Sequence, residues 1–126
     1  MKLLIVRHAK AEDRETFAVG GKNDADRPLT GAGREQARQA ARALKGLVPR
    51  LDVLATSPFA RAKESARLLA REYKRVKPME MAQLAPGMSE KAVAQWLAEQ
   101  PADAVIALVG HEPDLSVFAS WLLTVR

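Results

Sequence analysis

Met1-Lys-Leu-Leu-Ile-Val-Arg-His-Ala-Lys10 is the stretch on which the reading of this chain turns. Leu3 to Val6 is an uninterrupted apolar run, the pattern of a strand covered on both faces of a parallel sheet. It predicts the first and central strand of such a sheet. The strand surfaces in Arg7 and His8, and a histidine beside an arginine at that junction can serve as a phosphate-directed nucleophile. The centre of the chemistry is therefore expected at the carboxyl end of the first strand.

Outward from there, short β-branched or leucine-rich runs alternate with longer segments carrying apolar residues at helical spacing, the signature of an α/β sandwich with a mostly parallel central sheet. Thr30 opens a helix whose stripe is Ala37, Ala40, Ala41 and Leu44, with Arg34, Glu35, Arg38 and Arg42 mainly off it and Gly46 as its stop. Leu51 to Thr56 reads as the second strand. Ser57-Pro58 then reads as an N-cap followed by proline at the first helical position, leading a stripe of Phe59, Ala62, Ala66, Leu69, Ala70 and Tyr73. Arg61 falls in the first turn, near exposed helix amides, so that both can face one anion. A weaker strand spans Val76 to Met81, and Ser89 caps a helix carrying Val93, Trp96 and Leu97. Ala104 to Val109 is the last clear strand; it ends in Gly110-His111, and Pro113 starts a helix through Leu115, Phe118 and Leu122. Ala9 to Pro28 has no period and reads as a loop, long for a small domain.

Composition bounds these readings. A chain of 126 residues, 48% of them apolar, suits one domain with one core. Cysteine is absent, which excludes disulfides and thiolate metal sites. Arg7 and His8 interrupt the first apolar run too early for a signal peptide, and no segment approaches the roughly 20 apolar residues of a membrane span, so a cytoplasmic location is expected. The net charge of +5 suits an anionic partner without saying which.

Four blocks, LIVRHAKAE at the start, RPLTGAGREQA from Arg27, ATSPFARAKESA around Ser57 and Arg61, and VGHEPDLS around His111, resemble those of the histidine phosphatase superfamily, and within it the SixA-type phosphohistidine phosphatases. Their order is that of the family, and they span most of the chain. The resemblance implies a three-layer α/β/α, phosphoglycerate mutase-like domain over residues 1–126. It implies that His8 is a nucleophile forming a phosphohistidine intermediate, that Arg7 and Arg61 bind the phosphoryl oxygens, and that His111 completes the pocket. No metal and no cofactor are implied. Arg27 resembles part of a recurrent RPLT block, and either adds a phosphate contact or positions the loop. Ser57 resembles a pocket-lining residue, although capping explains it equally well.

The chemistry is coherent apart from the family name. In-line attack on phosphorus needs a neutral nitrogen nucleophile and cations around the equatorial oxygens, and arginine's planar fork suits that clamp. Many superfamily members also carry a glutamate acid after the third strand, where this chain reads Gln83-Leu84-Ala85-Pro86-Gly87. An alkoxide leaving group would miss that acid, whereas an imidazole can be protonated before its bond breaks. The departure favours phosphohistidine on a protein, such as a histidine phosphotransfer domain of a signalling relay. Glu12, Asp13, Glu80 and Glu112 are the substitute acids to consider. A small phosphate ester is the alternative substrate, and a noncatalytic phosphate- or phosphoprotein-binding module the alternative class. Nucleic acid is disfavoured by the scarcity of aromatic residues for stacking bases. The chain ends at Arg126 inside the helix begun at Pro113, whereas similar proteins continue with further strands. An uncovered sheet edge, with oligomeric state open, is the expected consequence.

Overall fold

A computed structural model describes residues 1–124; the chain end at Arg126 lies outside the described residues. The strands are β1 (Lys2–Arg7), β2 (Val53–Thr56), β3 (Pro78–Glu80) and β4 (Val105–Gly110). The helices are α1 (Arg14–Ala18), α2 (Gly31–Leu47), α3 (Ala60–Ala70), α4 (Glu90–Ala98) and α5 (Asp114–Thr124). The four strands form one sheet in the order β1-β4-β2-β3, and every pairing is parallel.

β4 shows why the fold has three layers. All six of its residues are buried, and its side chains alternate between two apolar clusters. Ile106 and Leu108 pack with Val93 and Leu97 of α4 and Leu115 and Phe118 of α5. Val105, Ala107 and Val109 pack on the other face with Ala41 of α2 and Ala62, Ala66 and Leu69 of α3. A strand buried on both faces must be apolar throughout, which is what its sequence shows.

β1 does not hold the central position expected of it. Among the described residues its one strand neighbour is β4, so it is an edge strand. Leu3 and Ile5 pack against one cluster and Leu4 and Val6 against the other. The apolar run therefore reported two covered faces correctly. Coverage of faces carries no information about how many strands pair alongside, and that is where the expectation failed.

Three local boundaries also differ. α2 runs through Gly46 to Leu47, and its cap is Thr30, whose hydroxyl accepts from Gly33 N at 2.9 Å. α3 begins at Ala60 rather than at Pro58; its N-cap is Phe59, without a side-chain cap. Ser57 Oγ instead accepts from Phe59 N at 3.1 Å, bending the chain before the helix starts. The stretch expected as plain loop, Ala9 to Pro28, holds α1 and a 3-10 turn at Asp24–Asp26. Asp13 caps the first through Thr16 N at 3.0 Å and Asn23 the second through Ala25 N at 3.1 Å. Both turns are too short to leave a period in the sequence.

Candidate active site

Parallel pairing brings the carboxyl ends of β1, β2 and β4 to one rim. His8 N donates to Gly110 O at 3.1 Å, and Ser57 N to Val109 O at 2.9 Å, so the chain leaves all three strands at the same level. A cleft of about 700 Å³ opens there, lined by Arg7, His8, Arg27, Arg61 and His111, with Lys10 and Arg14 further out. Ligands of open parallel sheets bind in this position.

The loop after β1 fixes His8. Its Nδ1 lies 2.7 Å from Ala9 O. A carbonyl only accepts, so Nδ1 carries the proton and Nε2 keeps its lone pair. Burial lowers the His8 pKa below 6.5; the Ala9 carbonyl opposes this, and the charges of Arg61, Arg7 and Arg27 reinforce it. Ser65 braces the loop from α3, accepting from Ala9 N at 3.0 Å and donating to Arg61 O at 2.9 Å. α2 braces it from the other side: Thr30 N donates to Lys10 O at 3.0 Å, and a Cβ on Gly33 would collide with that same carbonyl.

Arg61 and Arg27 are both buried, at 3% and 7% exposure. Asp24 joins them. Arg61 donates through Nη1 to Asp24 O at 3.0 Å and through Nη2 to Asp24 Oδ2 at 3.2 Å, while Arg27 Nε donates to Asp24 Oδ1 at 2.8 Å. Arg27 Nη1 also donates to Glu12 O at 2.7 Å, so this residue both lines the cleft and ties down the loop. Burial pushes the Asp24 carboxyl upward, but the bond from Arg27 and the charges of Arg61 and Arg27 prevail and hold it below its usual range. Sequence reasoning missed Asp24. The available signal was an acid three residues before Arg27, within reach only if the intervening chain turns. Arg7, by contrast, is exposed at the mouth.

His111 is 4% exposed, and its Nε2 lies 2.8 Å from Ser57 Oγ. The His8 ring stands edge-on to it at 5.2 Å and the Phe59 ring at 5.4 Å; Phe59 also lies 5.1 Å under the Arg61 guanidinium. Burial, then the positive charge of Arg61 and that of protonated His8, lowers the His111 pKa to about 4. Ser57 itself is fully buried beneath His111 and is not part of the cleft lining. Among the described residues, two buried side-chain polar atoms meet no hydrogen-bond partner, Arg61 Nε and His111 Nδ1, and both belong to this site.

Of the substitute acids, Glu112 alone lines the cleft, and its carboxylate is engaged by Ser116 N at 3.1 Å and by the Ser116 hydroxyl. Glu12 and Glu80 are exposed outside the lining, and Asp13 is committed to capping α1. Asp114, which the sequence did not single out, also lines the cleft. Its carboxylate accepts from Gly87 N at 2.9 Å, tying Pro86 and Gly87 into the opposite wall. Among the described residues no cluster of three or more His, Asp or Glu could hold a metal ion.

The model of the histidine phosphatase superfamily (branch 1) matches residues 3–104. An uncharacterised protein of Picosynechococcus sp. is 37% identical over 121 residues, covering 94% of this chain and 71% of its own length. Among solved structures, a protein provisionally designated phosphohistidine phosphatase SixA from Agrobacterium tumefaciens superposes with a TM-score of 0.83 at 23% identity, over 96% of this chain and 75% of that one. The protein histidine phosphatase SixA complexed with tungstate gives 0.80 at 23% identity, over 95% and 75% of the two chains. A phosphoglycerate mutase from Plasmodium falciparum gives 0.73 at 18%, over 98% and 69%. At these identities the three structures establish a shared fold, which is phosphoglycerate mutase-like.

Proposed function

The chain belongs to the histidine phosphatase superfamily and is a phosphatase that works through a histidine nucleophile, and we propose that it hydrolyses phosphohistidine on a protein, with His8 as that nucleophile. The observation that carries this reading is the pairing of a carbonyl-anchored His8 with a cleft whose lining carboxylates are both occupied by hydrogen bonds.

In this reading the phosphoryl group enters between Arg7, Arg27 and Arg61, whose guanidiniums take its equatorial oxygens. His8 Nε2 attacks phosphorus as the bond to the substrate imidazole breaks, and that imidazole leaves with a proton of its own. The Nε2–P bond formed is then broken by water, which releases inorganic phosphate and returns His8 to its starting form. Splitting the displacement in this way leaves the protein chiefly to position groups and stabilise charge.

The choice of substrate rests on the leaving group. An alkoxide requires a proton donor, normally worth about 10²–10⁴-fold in rate. Here Glu112 is held by Ser116 and Asp114 by Gly87, and the stretch Gln83–Gly87 supplies no carboxylate. A protonated imidazole needs none. SixA-type neighbours share this fold, and phosphohistidine hydrolysis is the activity they are named for. A small phosphate ester is the competing substrate, because a phosphoglycerate mutase shares the fold as well. The protein-borne substrate fits a cytoplasmic signalling relay.

The test sets a phosphorylated histidine phosphotransfer domain beside an alkyl phosphate ester such as glycerol 3-phosphate, with wild type and His8→Ala. Turnover of the phosphohistidine, at least tenfold preferred over the ester and lost in the variant, is the expected result. Preference for the ester would overturn the substrate, and turnover surviving in His8→Ala would overturn the nucleophile. Binding without turnover by the wild type would identify a noncatalytic module.

A further inference from the structure

A fully buried serine sits against His111, and the hydrogen bonds around that serine have one consistent solution. Ser57 Oγ accepts from Phe59 N at 3.1 Å and lies 2.8 Å from His111 Nε2. The hydroxyl has one proton to give. If His111 Nε2 carried a proton and donated it, the serine's own hydrogen would need another acceptor in a place that water cannot reach, since Ser57 is 0% exposed. No other side-chain bond of Ser57 is formed among the described residues; the hydrogen bond of Thr56 Oγ1 goes to the Ser57 carbonyl instead. A buried hydroxyl left without an acceptor costs about 1–3 kcal/mol. Donation from Ser57 to a bare Nε2 avoids that cost.

We propose that Ser57 is a positioning residue of the phosphatase, whose hydroxyl donates to His111 Nε2 and thereby keeps the single ring proton of His111 on Nδ1, where it serves as an uncharged donor to the phosphoryl group. The orphaned atoms support this. His111 Nδ1 and Arg61 Nε are the two buried side-chain polar atoms without a partner among the described residues, and an incoming phosphoryl oxygen supplies acceptors for both. The ring is held in a fixed orientation, because the edges of Phe59 and His8 pack against it and the Ser57 backbone is pinned to β4 through Val109 O. The depressed basicity of His111 agrees: burial is its main cause, the charges of Arg61 and His8 add to it, and Asp114 and Asp24 only partly offset them.

The consequence concerns specificity of charge. A protonated His111 would add a fourth cation to Arg7, Arg27 and Arg61 and would disfavour release of inorganic phosphate. An uncharged Nδ1–H stabilises the developing charge in the transition state and lets the product go. The opposite tautomer would turn a lone pair toward the substrate and repel it.

Nitrogen-15 NMR of histidine-labelled protein reads the tautomer directly, and with two histidines in the chain a His8→Gln variant assigns the spectrum. The wild type should show a pyrrole-like Nδ1 and a pyridine-like Nε2 for His111, and orthovanadate should shift that Nδ1–H. Ser57→Ala should move His111 toward the Nε2–H form and lower kcat by roughly 10–100-fold, the range for losing an orienting partner, while Ser57→Thr restores both. A pyridine-like Nδ1 in the wild type overturns the proposal without reference to any variant. So does a Ser57→Ala protein that keeps the tautomer, or one that changes it at full kcat. The spectra of the unreacted protein do not depend on the preferred substrate, so a failure of the phosphohistidine reading remains separable.

Discussion

Asp24 occupies the two arginines proposed to hold the phosphoryl group, so its net effect depends on which of two terms is larger. Its carboxylate competes with an anion, yet it also neutralises a buried pair of guanidiniums that would otherwise repel each other at low dielectric. Burial of Arg61 and Arg27 makes the second term the larger. Asp24→Asn is therefore expected to raise KM roughly tenfold, equivalent to about 1.4 kcal/mol; a lower KM would show that competition wins. Burial, reinforced by the arginine charges, sets a pH limit. With His8 as the proposed nucleophile, attacking as the free base, its lowered pKa predicts an acid limb of kcat/KM centred below pH 6.5. An acid limb centred at or above 6.5 would contradict the assignment of His8. Arg27, His8, His111 and Arg61 could be singled out from sequence because each closes or follows a recognisable block, and the fold gathers all four around one cleft. Asp24 could not, because only a turn folds it back onto Arg27.

At the scale of elements, the site is a junction held from both sides. α2 approaches the His8 loop so closely that Gly33 has no room for a methyl group, whereas Gly31, at the start of the same helix, faces open space. Alanine is the better helix former by about 1 kcal/mol, so Gly31→Ala should leave stability unchanged or raise it slightly. Gly33→Ala should instead lose about 1–3 kcal/mol through overpacking and lower kcat/KM, since the displaced atom is the Lys10 carbonyl in the loop that carries His8. Urea unfolding of the two variants makes the comparison. Equal stability of both would show that the loop yields freely. The glycine's helical position could be read from sequence, but its contact could not. The capping role expected of Ser57 illustrates the converse: Ser-Pro announced a helix start, and the hydroxyl was taken by Phe59 N and His111 instead.

For the whole molecule, two predictions follow from charge. His111 has a pKa of about 4 in the fold and an ordinary value near 6.5 when unfolded. Between those values the unfolded chain binds more protons, so stability should be full above pH 6.5 and decline as pH falls toward 4, at up to about 1.4 kcal/mol per pH unit for one such group. The lowered pKa of His8 adds in the same direction. His111→Gln should flatten its share of that slope in thermal unfolding, and an unchanged slope would mean that the buried ring is not its source. The net charge of +5 and the cationic mouth of the cleft, Arg7, Lys10 and Arg14, predict steering of acidic partners. Raising salt from about 0.05 to about 0.5 M should slow kcat/KM for an acidic phosphoprotein severalfold more than for a small ester, because screening acts over a Debye length of roughly 10 Å at 0.1 M. Equal sensitivity would argue against a protein surface as the recognised partner.

Local pattern determined a good deal of this protein. Apolar runs and helical stripes announced alternating strands and helices, and the strand-end residues Arg7, His8 and His111, singled out from sequence, line one cleft. Those features depend on neighbours in sequence, which periodicity reports. The place of β1 at the edge of the sheet, the union of Asp24 with Arg27 and Arg61, the passage of α2 over the Lys10 carbonyl and the bond between Ser57 and His111 were decided only by tertiary structure. Each joins segments whose meeting depends on strand order and backbone turns, and a one-dimensional pattern of faces does not encode which edge, or which distant side chain, comes to lie alongside.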